Sequence, residues 1–424
     1  MINNLTNKVL LLTMLFFLAP YGFGIKIPGL QSLDFPKLIP FVLFLIVIKK
    51  FNFLKIDKSI LILLVLIFFH FLSIFYSSNY QLSLIDFSAQ LILYYTAFFI
   101  PFLFINSHDL LKQFLIKINY IFISYVLLSI FEFIFQINIF DFIRNTYTED
   151  SRFNNLLGTI RLGFKASMGP YASTIPFAYA FATIFFLRDV YKPNFLNKKL
   201  IQVTLICLGL IGIVFTLSRA AILIVIVMLF FKYLFKSNLK AKISFITISA
   251  LISIIMYSKI KQTPYETYIE NYIVNIFNSE NEGANSRLNN NVIDFNAALK
   301  KPILGHGAGL LHYYKTSKAN YSERLDSSDS SFLLTIFFER GFVSLLTFCI
   351  LIFISFKRCI FLSKIKSNDF KLRSLFYSFL VILVCLNSSQ RSEVYFLFFL
   401  ILGLINSVYL IYKNHVNFNH NSNL

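Results

Sequence analysis

Arg219 lies in the stretch "TLSRAAILIVIVMLFF", with an apolar run on either side of it. A guanidinium buried between two such runs costs roughly 2.5–3.5 kcal/mol near the centre of a bilayer and much less near its surface. A phosphate about 4 Å away returns roughly 4 kcal/mol at intermediate dielectric. The charge is therefore tolerable where it meets an anion at the membrane surface; a partner carboxylate or the head groups themselves would serve as well. Further arginines fall on the same side of the apolar segments: Arg144, Arg152, Arg161, Arg287, Arg324 and Arg391. Planar guanidinium groups bind phosphate oxygens two at a time, so several that converge make a diphosphate clamp. Arg161 is held at the surface because "RLGFKASMGP" runs straight into the next apolar segment, and Arg287 opens an amphipathic helix.

Candidates for moving a proton come from the segment "DSSDSSFLLTIFFERGF". Asp329 lies just before an apolar run, placed to accept a proton from an acceptor hydroxyl or to cap the helix, as Ser328 or Ser330 would. Glu339 and Arg340 lie inside that run, where charges are costly unless paired or facing a cavity. His306 and His312 are rival bases, whereas Asp86 and Glu132, in earlier apolar runs, read as packing or cavity residues. No Walker loop, dinucleotide glycine fingerprint, HExxH or CxxC pair occurs, and "DSSD" is too loose for a metal site. No cofactor and no metal are expected. Chemistry on an outer face lacks ATP and nucleotide sugars. A lipid-diphosphate donor fits better, since its leaving group needs charge neutralisation rather than acid or metal help.

The elements that must hold these residues are apolar helices. Hydrophobic residues make up 57% of the chain and charged residues 14%, against about 25% charged in soluble domains. The runs are continuous rather than alternating, so the fold class is an all-α polytopic membrane protein and not a β-barrel. About twelve spans are expected, near 9–23, 36–48, 59–76, 84–105, 114–137, 168–187, 200–216, 220–236, 243–257, 331–356, 374–388 and 394–412. Lysines and arginines fill alternate connections: Lys49 to Lys58, Lys112 and Lys117, Arg188 to Lys199, Lys232 to Lys242, and Lys357 to Arg373. The net charge of +19 is thus explained by topology, with both termini cytoplasmic and no nucleic-acid partner required. Cys207, Cys349 and Cys385 fall in spans and Cys359 in a basic inside loop, so no disulfide framework is implied.

Three regions follow: N-terminal spans over 1–257 with an outer loop near 138–166, a long outer loop over 258–330, and C-terminal spans with a cytoplasmic tail over 331–424. Within the long loop, "NSRLNNNVIDFNAALKKPILGHGAGLL" predicts a helix capped by Ser286, striped by Leu288, Val292, Phe295 and Leu299, and closed by Pro302. The apolar stripe is expected on the membrane face or on neighbouring spans. "GHGAG" then supplies a turn whose backbone can approach a ligand closely.

Four segments resemble the O-antigen polymerase/O-antigen ligase family. "TLSRAAILIVIVMLF" is similar to its serine–arginine–small-residue span opening. "SRLNNNVIDFNAALKKPILGHGAG" resembles its long-loop segment, with Arg287, Phe295, Ala298, Pro302, Gly305 and Gly307 in the matching places. "DSSFLLTIFFERGFVSLL" resembles its re-entry segment ending in Glu-x-Gly, and Arg152 with Gly163 matches an arginine–glycine spacing of its first large outer loop. The resemblance implies an inverting, metal-independent glycosyltransferase in the cytoplasmic (inner) membrane. Its donor would be an undecaprenyl-diphosphate-linked oligosaccharide, with Arg161, Arg219 and Arg287 on the diphosphate. Ligases carry a histidine where this chain has Asp329 or a neighbouring serine. That departure favours a polymerase of repeat units, of O-antigen or capsule type, working beside a chain-length regulator and a flippase. A ligase that transfers the glycan to lipid A-core, or a flippase itself, are the alternatives; a flippase would carry its polar residues at mid-membrane.

Overall fold

The computed structural model describes residues 2–20, 24–25, 33–51, 57–140, 160–161, 164–171, 173–193, 196, 198–234, 291–309, 331–365, 367, 369–388 and 394–421. Within them the chain is mostly helical. In order come α1 (Ile2–Leu18), α2 (Phe35–Lys50), α3 (Lys58–Phe75), α4 (Tyr80–Gln90), a π-helical turn (Leu91–Tyr95), α5 (Thr96–Phe104) and α6 (His108–Phe135). Then follow α7 (Thr174–Leu187), α8 (Lys199–Phe215), α9 (Arg219–Leu234), a short loop helix over 291–298, α10 (Phe332–Lys364), α11 (Arg373–Ser388) and α12 (Tyr395–Asn421). Two small antiparallel hairpins pair β1 (Gly24–Ile25) with β2 (Leu33–Asp34), and β3 (Ile160–Arg161) with β4 (Phe164–Lys165).

In hydrocarbon every backbone N–H and C=O must find a partner within the protein, which leaves the helix as the form for continuous apolar runs. Five helical stretches among the described residues are long and apolar enough to cross a membrane: Lys58–Phe75, Tyr80–Phe104, His108–Phe135, Phe332–Lys364 and Tyr395–Lys413. The protein is a multi-pass membrane protein. Its helices fall on the expected apolar segments, except that 243–257 lies outside the described residues. Short polar residues set the turns between them. Asp57 accepts from the Ser59 amide (3.0 Å), Asn79 from Leu82 (3.1 Å) and Ser107 from Leu110 (3.3 Å), each satisfying an amide that has no partner within its helix. Lysine-rich connections collect at one end of the bundle, the basic end; β3–β4 and the loop helix lie at the other, the loop end.

The core is a continuous body of phenylalanines and branched aliphatics. α5 packs on α12 so closely that a Cβ on Gly403 would run into the Phe98 carbonyl. α3 packs on α10, and α7 on α11.

Several boundaries differ from expectation, α1 starting at Ile2 and α6 at His108, and three departures have a clear local reason. The segment expected as a span from 168 becomes helical only at Thr174. Before it, the chain turns at Gly169 (φ 52°) and Pro170 and is held there by Glu132, whose Oε2 accepts from Ser167 Oγ (2.8 Å) and from the amides of Met168 and Gly169 (2.9 Å each). α10 runs on to Lys364, so Arg358 and Cys359, expected in a basic loop, are buried helix residues. Arg358 is buried because Asp57 answers it at 2.8 Å and Asn406 Oδ1 accepts from it at 2.7 Å, joining α3, α10 and α12. Finally, α10 is broken at Gly341 (φ 75°, ψ −179°), within a run that reads as one span.

Candidate functional site

The break in α10 organises the loop end. A continuous helix would bond the Phe342 amide to the Phe338 carbonyl and the next amide to Glu339. Instead the segment 302–307 lies across the gap. The His306 amide donates to Phe338 O (2.9 Å), the Gly307 amide to Glu339 O (2.8 Å), and the Phe342 amide to Pro302 O (2.6 Å). Backbone groups freed by the break are thus satisfied, which matters because each one left bare in an apolar setting costs several kcal/mol. Glycine is required at this crossing. Gly305 and Gly307 have φ of 75° and 109°, and a Cβ on Gly341 would overlap the Ile303 carbonyl. The Pro-x-x-Gly-x-Gly pattern is therefore the mate of Glu-x-Gly, about thirty residues later in the sequence.

His306 is used in this docking. Its ring stacks on Phe338 (4.4 Å between centroids, 13°), and Nε2 meets the Ala297 carbonyl at 2.9 Å. A carbonyl only accepts, so Nε2 carries the proton and is committed to holding the loop helix. The loop helix turns Ala297 and Ala298 towards Phe337 and Phe338 and buries Asp294, while Val292, Phe295 and Leu299 are exposed. Of the expected stripe, Val292 and Leu299 are half-exposed, while the Phe295 ring, itself half-exposed, also meets Phe337 at 5.9 Å between centroids. Ser331 ties the other end, its amide donating to Asn291 Oδ1 at 3.2 Å, and Lys301 Nζ reaches the Tyr76 carbonyl at 2.9 Å.

Beneath the crossing, Glu339 and Arg340 are buried, 5% and 4% exposed. The sequence requirement that Arg340 be paired or face a cavity is met by a polar chain. Its NH1 donates to Tyr95 Oη (3.2 Å), its NH2 to Gln90 Oε1, and Gln90 Nε2 donates to Asp86 Oδ2. Tyr95 Oη also meets His70 Nδ1 at 2.9 Å. The π-helical turn makes this possible. Residues five apart stand about 140° from one another on an α-helix, but the wider turn from Leu91 to Tyr95 brings Gln90 and Tyr95 to one side. His70 Nε2 and Arg340 Nε are buried without a partner among the described residues. Gly309 covers Asp86: a Cβ there would lie 2.9 Å from Asp86 Cβ. Ser83 Oγ bonds the Ala308 carbonyl at 2.9 Å, fixing the same loop to α4. On the far side of Tyr95 an apolar cavity of about 310 Å³ opens between α2, α3 and the π-helical turn, walled by Phe44, Val47, Leu64, Ile67, Leu91 and Tyr95. A polar chain beside an apolar cavity suits an amphipathic ligand.

Arg219 is the first residue of α9, exposed, after a turn in which Leu217 takes a φ of 50°. Ser167 N donates to Phe215 O (3.0 Å), and the Phe133 ring stacks on both Phe215 (4.0 Å) and Phe164 (5.5 Å). These contacts bring the β3–β4 hairpin, and with it the backbone of Arg161, to the end of the bundle that carries Arg219. The Arg161 side chain, and Arg152, Arg287, His312 and Asp329 as a whole, lie outside the described residues. Glu132, expected as a packing or cavity residue, is a buried structural acceptor. Asp86 is more: it ends the Arg340 chain. His70, Gln90, Tyr95 and Asp294 escaped the sequence reading. Among the described residues no group of three or more His, Cys, Asp and Glu side chains gathers.

The stretch that contains Arg219, the glycine loop and the start of broken α10 is the one that carries a family resemblance. Residues 204–349 match the family model described as O-antigen ligase. Over those residues, about a third of its length, the chain is similar to that family. The family match begins in α8 and ends in α10, so it takes in Arg219, Arg287, His306, His312, Asp329 and Glu339. Comparison with curated proteins finds no match for this chain. The match supports, over residues 204–349, a place in O-antigen polymerisation or ligation in general.

Proposed function

We propose that this chain polymerises lipid-linked oligosaccharide repeat units on the outer face of the cytoplasmic membrane, taking the growing glycan from undecaprenyl diphosphate and needing no metal. The observation that carries this reading is the docking of the glycine loop onto the break in α10, inside the family match. It fixes the outer loop, in which His306 and the start of α10 are held together, over a buried guanidinium and its polar chain. In the reaction the acceptor hydroxyl attacks the anomeric carbon, the bond from that carbon to the diphosphate oxygen breaks, and the hydroxyl proton passes to a base. Arg219, with Arg161, Arg287 and Arg152, neutralises the departing diphosphate; the amino end of α9 beside Arg219 adds to that positive field. Asp329, Glu339 and His312 are the candidates for the base. His306 takes a docking role instead, because its Nε2 proton is held by Ala297 O.

The matching family's description, O-antigen ligase, favours a second reading, which we take as ligation of the finished glycan to lipid A-core. Against it stands the absence of a histidine at the opening of α10, where Ser331 and the residues before it lie. The test is the ladder of surface polysaccharide in cells expressing Arg219→Ala or Arg287→Ala. A polymerase retains each variant in the membrane at wild-type amount and caps the glycan at one unit. Ladders of wild-type length in both variants overturn the reading; long but unattached chains indicate a ligase, and no exposed glycan at all indicates a flippase. Elongation of purified lipid-linked units in the presence of a chelator tests the metal independence.

A further inference from the structure

The basic end holds a group of charges gathered more closely than topology alone requires, and the transfer reaction does not use them. Arg188 and Asp189 form a short 3-10 turn after α7, followed by Lys192. Lys232 from α9 pairs with Asp189 Oδ2, and Arg188 NH2 stands 3.8 Å from Oδ1. Lys371, just before α11, is fixed beside them: its amide donates to Val190 O (2.7 Å), and Tyr191 bridges to Phe370. Three cations thus meet one carboxylate, with Lys371 close enough to repel Lys192, among the described residues. Asp369, two residues before Lys371, is near Tyr412 instead. Lys192 registers the imbalance. Burial, and then the repulsion of Lys371, Arg188 and Lys232, pushes it down to about 8 in spite of Asp189.

Arg188 makes the arrangement harder to explain as a solvated lysine patch. It is 5% exposed, its guanidinium lies over the Phe122 ring at 4.3 Å and near Phe185 at 5.3 Å, and its Nε has no partner among the described residues. A buried donor and an excess of positive charge call for an anion. The surroundings say which kind. Lys192 bonds Gln202 on α8, and on either side of Gln202 the same helix exposes Leu200 and Val203, 78% and 50% accessible. Phe231, exposed beside Lys232, continues the apolar surface on α9. A phosphate at the end of apolar helices, with hydrocarbon running along them, describes a phospholipid.

We propose that Arg188, Lys192, Lys232 and Lys371 bind the phosphate of an anionic phospholipid whose acyl chains lie along α8 and α9. The lipid supplies the missing negative charge and ties α7, α9 and α11 together. It is a structural ligand, separate from the loop end and independent of the glycosyl transfer.

The test uses the whole purified protein, delipidated in neutral detergent. Thermal unfolding is followed with added phosphatidylglycerol, phosphatidylcholine or inorganic phosphate, each at the same phosphate concentration. Phosphatidylglycerol should raise the midpoint by about 3 °C more than phosphatidylcholine does, and inorganic phosphate should not reproduce this. In Lys192→Gln/Lys371→Gln, which leaves the Asp189 pairs intact, most of that excess should vanish while the midpoint in phosphatidylcholine is kept. Equal shifts in both lipids, or an undiminished excess in the double variant, overturn the proposal. A shift reproduced by inorganic phosphate overturns the lipid assignment. Should the double variant fail to fold, native mass spectrometry of the wild type decides: bound phosphatidylglycerol surviving detergent exchange supports the site, and its absence refutes it.

Discussion

Replacing Gly341 by alanine isolates the docking of the glycine loop from every side-chain interaction around it. Two costs add. A non-glycine residue at φ 75° and ψ −179° occupies a region open almost only to glycine, at about 1–3 kcal/mol. The new methyl group also overlaps Ile303 O and C and Leu304 N. These atoms belong to the backbone and move only if the loop lifts off. Lifting it breaks the three bonds from His306, Gly307 and Phe342, at about 0.5–1.5 kcal/mol each. The sum is roughly 3–7 kcal/mol, a large part of the 5–15 kcal/mol of net stability usual for a folded protein. Two readouts check it. The thermal midpoint of the purified protein should fall by several degrees, and the amides of His306 and Gly307 should exchange with deuterium far faster than in the wild type. An alanine variant that melts within about 1 °C of the wild type and keeps both amides protected would show that the loop does not depend on the break, and the reasoning fails with it.

Two further outcomes follow from the same contacts. Glu132→Ala deprives Ser167, Met168 and Gly169 of their shared acceptor; a loss of about 3–5 kcal/mol is expected, measured as a lower melting temperature. The β3–β4 hairpin next to it should become accessible to protease. Acid sensitivity should arise at the opposite end, at Asp57. Burial alone would raise its pKa, but bonds from Arg358 and Ser59 and the Arg358 charge bring it down from 3.8 to about 2. A carboxyl lowered on folding stabilises fully above its unfolded value and loses that contribution as pH falls through the folded one. The window is therefore pH 4 to 2, and the size about 1–2 kcal/mol after allowance for solvent screening. Melting curves across that range should be flatter for Asp57→Asn than for the wild type; parallel curves would refute it.

Hydropathy made the helices legible because a bilayer leaves a long apolar run little choice of form, and Asp57, Asn79 and Ser107 mark their starts as short polar caps should. The site was legible where backbone geometry demands one residue type. Gly305, Gly307 and Gly341 could be seen in the sequence, though not that they meet, since pairing over that separation is a tertiary fact. The Arg340 partners were hidden for a different reason. Gln90 and Tyr95 stand on different faces of any regular helix, and only the π-helical turn, which no periodicity of this apolar run announces, gathers them. Asp294 was obscured by its own helix: the stripe of Val292, Phe295 and Leu299, expected on the membrane face or on neighbouring spans, drew the eye, whereas the alanine face beside the carboxylate is the one that packs on α10. Arg358 and Cys359 were misplaced because a polar residue near a span end resembles a loop until its partner, Asp57 from a distant turn, is known.

The outward stripe of the loop helix has a mechanical corollary. One flank of that helix is fastened to α10 through His306 and Ser331, while the other offers Val292, Phe295 and Leu299 to the surroundings. It behaves as a float moored to a post. A thicker or thinner bilayer changes the height at which the float rides, and the strain is delivered to the two moorings beside the buried arginine. Melting temperatures of the protein in bilayers of short and long acyl chains are expected to differ if that load reaches the loop end.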